Sequence, residues 1–427
     1  MKKIVLIMTF ALSAVTASAQ TLRSAYFLDG YTYRHQFNPA FQGNRSFVGL
    51  PAIGKTGYDI FVNDLGYDKM VDGNLDMNIF GFGFRLNKSY HTVDLSVKTN
   101  VDMSLPGDLF KFMKSGFNQD IRSYNFSNLG VVGNRYLQLS YGFSRRFKDK
   151  VNVGVRVKGL LGVGSVVSEF KKLSVEMDKD KWMITAGGTT YVSEFVKRLY
   201  NGDIEDNPFK ELPRIFEKPN GGFAVDFGFS VDIWKYLTVS ASILDLGAIN
   251  WRNVDVYKFS SDSWTSDITD ISISDFESGD INEMFTQALG ELTHLISFET
   301  HTPEKKKNDM EALAFTTHIG IEGRLPIYTK LSAGILATHK YNGPHSWTEG
   351  RFSVNWAILH WLSMSASYAI SDFGQSYGAA LSIHPKGFAF FIGTDSFKSA
   401  RLFSGKIKSI NDINTDLVFG INFPFGS

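Results

Sequence analysis

The chain has 427 residues, 44 Lys and Arg against 43 Asp and Glu, and a formal net charge of +1, so no nucleic-acid partner is expected. It has no cysteine, which excludes disulfides and thiolate metal sites, and no motif implies a cofactor. Phe (37), Tyr (17) and Gly (39) are abundant while Pro (11) is scarce, the balance of a chain built from aromatic-rich strands.

Residues 1–19 have the form of a secretory signal. Lys2 and Lys3 give the charged start, residues 4–12 an apolar core too short to span a bilayer, and Ala17-Ser18-Ala19 a cleavage site that leaves Gln20 first. No cysteine follows that site, so a lipoprotein is not expected. No later run of about 18 apolar residues occurs, so a transmembrane helix is not expected either. An exported chain with long alternating strands fits the outer membrane of a two-membrane bacterium, among outer-membrane lipids and lipopolysaccharide.

Residues 20–55 show no long period-two pattern. They carry Tyr26, Phe27, Tyr31 and Tyr33, then Asn38, Pro39, Ala40 and Phe41, and Pro39 argues against a membrane strand. The segment is too aromatic for a free tail and reads as a plug or hatch packed in a barrel lumen, with a periplasmic arm as the alternative. Residues 57–63 then make a first crossing. Asn78 to Leu86, a polar turn at 87–91 and Val93 to Met103 form the first hairpin, whose second arm alternates apolar and polar residues strictly. The same unit recurs at 136–147 with 151–167, 223–233 with 237–246, 315–324 with 330–338, 352–358 with 362–370, and 377–383 with 388–393. A terminal strand follows at 416–425.

Short links near residues 87, 148, 235, 326, 360 and 385 alternate with long ones, as in outer-membrane barrels. The sequence therefore predicts a closed antiparallel transmembrane β-barrel of about fourteen strands over residues 56–427. Residues 172–186 leave open a further hairpin that would make sixteen. Helical spacing at 107–117, 192–200 and 280–296 predicts short helices on the long loops. In hydrocarbon every backbone polar group must pair internally, so the sheet must close. A charge facing lipid at the midplane would cost roughly 2–4 kcal/mol. Asp94, Lys98 and Asp102 share one face of one strand, Arg156 and Lys158 another, Asp226 and Asp232 a third. These seven are predicted to face the lumen, which turns the Val, Phe and Leu faces toward lipid.

Sites of chemistry are sparse. His294 and His301 with Glu291 and Glu299 match no tight metal-ligand spacing. No Gly-x-Ser-x-Gly or comparable set occurs, so no catalytic residue is expected and the chain is not read as an enzyme. The run Glu304 to Asp309 reads as a solvated loop tip, with lipopolysaccharide phosphate as the alternative. Trp234, Tyr236, Tyr328, Trp356 and Trp361 fall near the short links, where aromatic rings sit at headgroup level.

Three stretches carry a resemblance: Asp29-Gly30-Tyr31 with Phe37-Asn38-Pro39-Ala40-Phe41, then Asp245-Leu246-Gly247-Ala248-Ile249-Asn250-Trp251, and the alternating remainder to the last strand. Together they resemble an outer-membrane barrel family of unknown function in Bacteroidota. That family is distantly similar to FadL-type fatty acid transporters and to PorV-type barrels of the type 9 secretion machinery. The resemblance implies an N-terminal hatch at Asn38-Pro39-Ala40 and passive uptake of a hydrophobic or amphipathic small molecule. The alternative is a scaffold or docking barrel for a secretion or surface-attachment partner. The chain ends Phe423-Pro424-Phe425-Gly426-Ser427, whereas many such barrels end on an aromatic residue.

Overall fold

The computed structural model describes residues 22–50, 56–62, 69–108, 111, 123–177, 182–201, 217–266, 303–396 and 415–426. Its strands are β1 (Ser46–Gly49), β2 (Thr56–Val62), β3 (Lys69–Leu86), β4 (Ser89–Leu105), β5 (Ser123–Asn125), β6 (Gly130–Phe147), β7 (Val151–Met177), β8 (Trp182–Val192), β9 (Asn220–Trp234) and β10 (Leu237–Ser266). They continue as β11 (Glu304–Ala312), β12 (Phe315–Arg324), β13 (Leu331–Tyr341), β14 (Trp347–Leu359), β15 (Leu362–Ser371), β16 (Gly374–Ile383), β17 (Ala389–Thr394) and β18 (Thr415–Phe425). Among the described residues an α-helix, α1 (Glu194–Asn201), stands in the long link after β8, where helical spacing is predicted at 192–200.

The wall is antiparallel and closed. β18 pairs with both β1 and β2, and these in turn pair with β3, so the two short pieces make one interrupted strand. From β3 the ring runs through β4, β6, β7, β9, β10 and β12 to β18 in chain order, which gives fourteen wall strands. β1 lies within the stretch that showed no alternation, because four residues are too few to display a period. The short links form one end of the barrel, the turn end. The other, the loop end, carries the long links, except that the link expected to be long after β15 is a two-residue turn, Asp372-Phe373. At the turn end Asn87 (φ 55°), Lys148 (φ 46°) and Asp149 (φ 54°) take the left-handed conformation that tight hairpins between twisted strands need.

The hairpin at 172–186 exists, but it adds nothing to the ring. β7 and β10 run 27 and 30 residues, past the loop end of their neighbours. β8 fits between their extensions, pairing Val192 with both Val166 and Asp255. β5 flanks β7 and β11 flanks β10, so the extension is a sheet standing on one side of the barrel mouth. The predicted helices at 107–117 and 280–296 fall largely or wholly outside the described residues.

Burial along the strands is the reverse of a water-soluble barrel. On β9, Ala224, Asp226, Gly228 and Ser230 are buried, while Phe223, Phe227 and Phe229 alternate with them and are exposed. The same holds on β14, where Glu349, Arg351 and Ser353 are buried and Phe352 is exposed; on β4, Asp94, Ser96 and Asp102 are buried while Val93, Leu95 and Val97 are partly exposed. Such a wall is stable only with an apolar solvent outside and hydrogen-bond partners inside. Trp234, Tyr328 and Trp356 lie exposed at the turn end, and the Trp356 indole donates to the Tyr328 hydroxyl at 3.2 Å.

Candidate functional site

Residues 22–42 pack against the buried face of the wall. Their two 3-10 turns, Arg23–Ala25 and Thr32–Gln36, pack Leu22, Tyr26, Phe27, Tyr31, Tyr33 and Phe37 into one buried cluster with Leu336, Ala380, Phe391 and Val418 of the wall. The segment is not a strand of the ring, so side chains hold it. Ser24 Oγ meets Ser367 Oγ at 2.8 Å, Tyr26 meets Ser240 at 3.1 Å, and Ser382 donates to the Gly30 carbonyl at 2.7 Å. These partners lie on β10, β15 and β16.

Asn38, Pro39 and Ala40 touch the wall at β7, β9 and β10. The Asn38 amide donates to the carbonyls of Phe229 and Ala241, both at 3.1 Å, and its oxygen accepts the Ala40 N–H at 2.9 Å. Ser242 donates to the Phe37 carbonyl at 2.7 Å. The wall makes room with two glycines paired across β7 and β9, Gly154 and Gly228. A methyl group on the first would run into Pro39 and Ala40, and on the second into Asn38. Phe41 is partly buried, with the Arg34 guanidinium 4.6 Å from its ring centre.

The seven charged residues predicted to face the lumen fall into five groups, the fifth around Asp102. Asp94 lies 3.2 Å from His35 of the inner segment and 3.5 Å from Arg156. Burial pushes the His35 ring below its ordinary range, against the pull of Asp94. Lys98 pairs with Asp76 at 2.5 Å. Lys158 lies 2.7 Å from both Asp226 and Asp245, and the Asp245 N–H donates to Asp226 at 2.7 Å. Asp245 takes a left-handed φ of 64° where the β9–β10 register shifts. Asp232 lies at the turn end, paired with Arg146 at 2.9 Å, on a polar cavity of about 660 Å³ shared with Asp29, Arg34, Glu322 and Arg324.

Asp102 belongs to a group that sequence reasoning missed. Lys340 of β13 pairs with Asp102 at 2.9 Å and with Asp72 of β3. The Trp347 indole donates to Asp72 at 2.8 Å and Asn342 to Asp102 at 2.7 Å. Trp347, Phe373 and Met70 pack beside them. A second missed group is Arg23, Glu349, Arg351 and Asp395. Arg23 lies 3.0 Å from Glu349, which Arg351 also grips with two bonds of 2.8 and 3.1 Å. The alternation used for Asp94 applies equally to Lys340, Glu349 and Arg351. Arg23 has no such signal.

Near the loop end lies a pocket of about 150 Å³ whose lining includes Val167, Tyr191, Trp251, Val254, Met310 and Glu311. Trp251 packs on Gly162 within a cluster holding Tyr136, Leu160, Ile249 and Val256. Glu311 accepts from Ser165 at 2.6 Å and Asn134 at 2.9 Å. The pocket thus joins an aromatic wall to a carboxylate.

The model of a family of unknown function, DUF5723, matches residues 53–395, most of the chain. The chain belongs to DUF5723. No curated protein matches it. Solved structures similar to this DUF5723 chain include the toluene transporter TodX of P. putida, 8% identical, with 93% of this chain and 94% of that chain covered and a TM-score of 0.44. The toluene transporter TbuX of Ralstonia pickettii is 7% identical with the same coverage and TM-score. A FadL homologue of Pseudomonas aeruginosa is 10% identical, with 96% and 99% covered and a TM-score of 0.44. The strand count and closure of the DUF5723 barrel rest on its own pairing, not on these.

Proposed function

We propose that the protein is an outer-membrane barrel for passive uptake of a small hydrophobic or amphipathic molecule, held shut at rest by its own N-terminal segment. On this reading residues 1–19 are a signal peptide and residues 20–45 the plug, while β1 joins residues 56–427 in the barrel. The exposed Phe, Ile and Val band supports a lipid setting, with lipopolysaccharide around the loop end. The observation that carries the uptake reading is the loop-end pocket, which pairs Trp251 and Tyr191 with Glu311. A pocket of its size holds a benzene-sized group, and its polar side orients an amphipathic one. The charged lumen offers an apolar molecule no continuous apolar path, so passage requires the segment to move.

The test joins uptake with binding. A deletion strain should accumulate small aromatic and short acyl probes several-fold more slowly, and Trp251→Ala in the purified protein should weaken their binding several-fold. Normal uptake by the deletion strain, with no binding by the purified protein, would overturn the proposal.

A second reading is a docking barrel without transport. The sheet formed by β5, β8, β11 and the extensions of β7 and β10 favours it, because it projects past the mouth and could meet a secretion or surface partner. It predicts a stoichiometric co-purifying protein and no bound small molecule.

A further inference from the structure

We infer that Trp347 couples the inner segment to the closure of the loop end, so that the mouth loosens only when Arg23 withdraws. The two charged groups missed by sequence meet at this one side chain. On its face sits the Arg23 guanidinium, 5.2 Å from the ring centre. From its edge the indole N–H reaches Asp72 at 2.8 Å. Asp72 and Asp102 together hold Lys340 from the far side of the ring of strands.

Each contact has a separate physical role. A cation over an indole face is attracted by the ring quadrupole and fixes the plane of the ring. The indole has one donor, so that plane also decides whether Asp72 receives its bond. Asp72 is 1% exposed. Asn74 donates to its other oxygen, so without the indole donor the Lys340-facing oxygen keeps Lys340 alone and the hold across the barrel weakens. Arg23, part of the inner segment, is anchored to the wall at the end of β17: its backbone N–H donates to Asp395 at 2.8 Å, and the Ser24 backbone N–H donates to the same carboxylate at 2.7 Å. Segment, ring and trans-barrel ion group therefore form one chain of contacts, and moving the first releases the last. This coupling concerns closure alone and holds whatever molecule passes, or if none does.

The absence of native cysteine allows a direct test in full-length protein reconstituted in lipid nanodiscs. Pro344→Cys in the β13–β14 turn and Ser123→Cys on β5, both exposed, would carry spin labels whose separation reports the mouth. The parent should give one narrow distance distribution. Arg23→Ala should add a population shifted to longer distance, and Arg23→Lys, which keeps a cation, should restore the narrow one. Trp347→Phe keeps the ring but removes the N–H, and should also add the longer population. Each variant is scored only on its folded fraction, recognised by its heat-shifted gel mobility. A distribution unchanged in Trp347→Phe would overturn the coupling, as would one unchanged in Arg23→Ala.

Discussion

Lys340 Nζ lies 2.9 Å from Asp102 Oδ1, although β13 and β4 stand six places apart in a ring of fourteen strands. Fourteen strands spaced about 4.8 Å apart and tilted about 40° would enclose a circle roughly 28 Å across. Side chains cannot bridge that span, so the wall at the loop end is drawn inward until its opposite sides touch. The contact is buried and charged, which makes it sensitive to the loss of either partner.

Lys340→Ala should therefore destabilise the barrel by about 3–5 kcal/mol, because it leaves Asp72 and Asp102 buried together without their cation. Replacing all three, as Lys340→Met with Asp72→Asn and Asp102→Asn, removes the charges on both sides and should cost far less. The heat-unfolding midpoint in detergent, read by gel mobility, compares the two. Equal losses would show that the ion group carries no special share of the closure.

Gly228→Ala should release the inner segment. The added methyl meets Asn38 within the wall's recess, and overpacking of this kind costs about 1–3 kcal/mol. Arg23 and Arg34 lie within the segment and should resist trypsin in the parent. The variant should be cut at one or both, with the barrel itself intact. Gly221→Ala, with open space around its Cβ, is the matched control and should behave as the parent.

Acid should weaken the loop end through His345, in the turn between β13 and β14. Burial, with Lys340 nearby, pulls its pKa down to about 4, below an ordinary value of about 6.5. The unfolded chain then binds more protons between those values. The contribution is intact above about pH 6.5 and falls as pH drops toward 4, by at most roughly 3 kcal/mol. His345→Gln should flatten the dependence of the unfolding midpoint over that range.

The outward band predicts a depth dependence. Ile335→Arg, midway along β13, should cost roughly 2–4 kcal/mol if that face meets hydrocarbon. Ile327→Arg, in the turn-end link and 92% exposed, should cost about 0–1 kcal/mol. Similar values at both positions would argue that the Ile335 face meets water.

Much of the wall was legible because lipid and lumen impose opposite demands on alternate residues. The polar residues of β4 and β9 could be sorted by face from the sequence alone, and link lengths gave the order of the hairpins. The hairpin at 172–186 was legible as strand, yet alternation does not say which neighbour a strand pairs with, so its place above the ring was not. The approach of Lys340 to Asp72 depends on the cross-section of the barrel, which no local pattern encodes. Arg23 and Ser24 lie in a segment without regular period, and their partners Glu349 and Asp395 are more than 320 residues away. Gly154 and Gly228 stood in plain sight on alternating strands, but their use as a recess depends on Pro39 and Asn38 lying opposite them.

An inner segment that fills a closed lumen must block the passage of ions. Ion conductance across a planar lipid bilayer tests it most directly, comparing the full chain with one lacking residues 22–42. The account predicts no steady conductance from the full chain and large open-channel steps from the shortened one. Steady, equal conductance from both would show that the segment does not seal the barrel and would contradict the account.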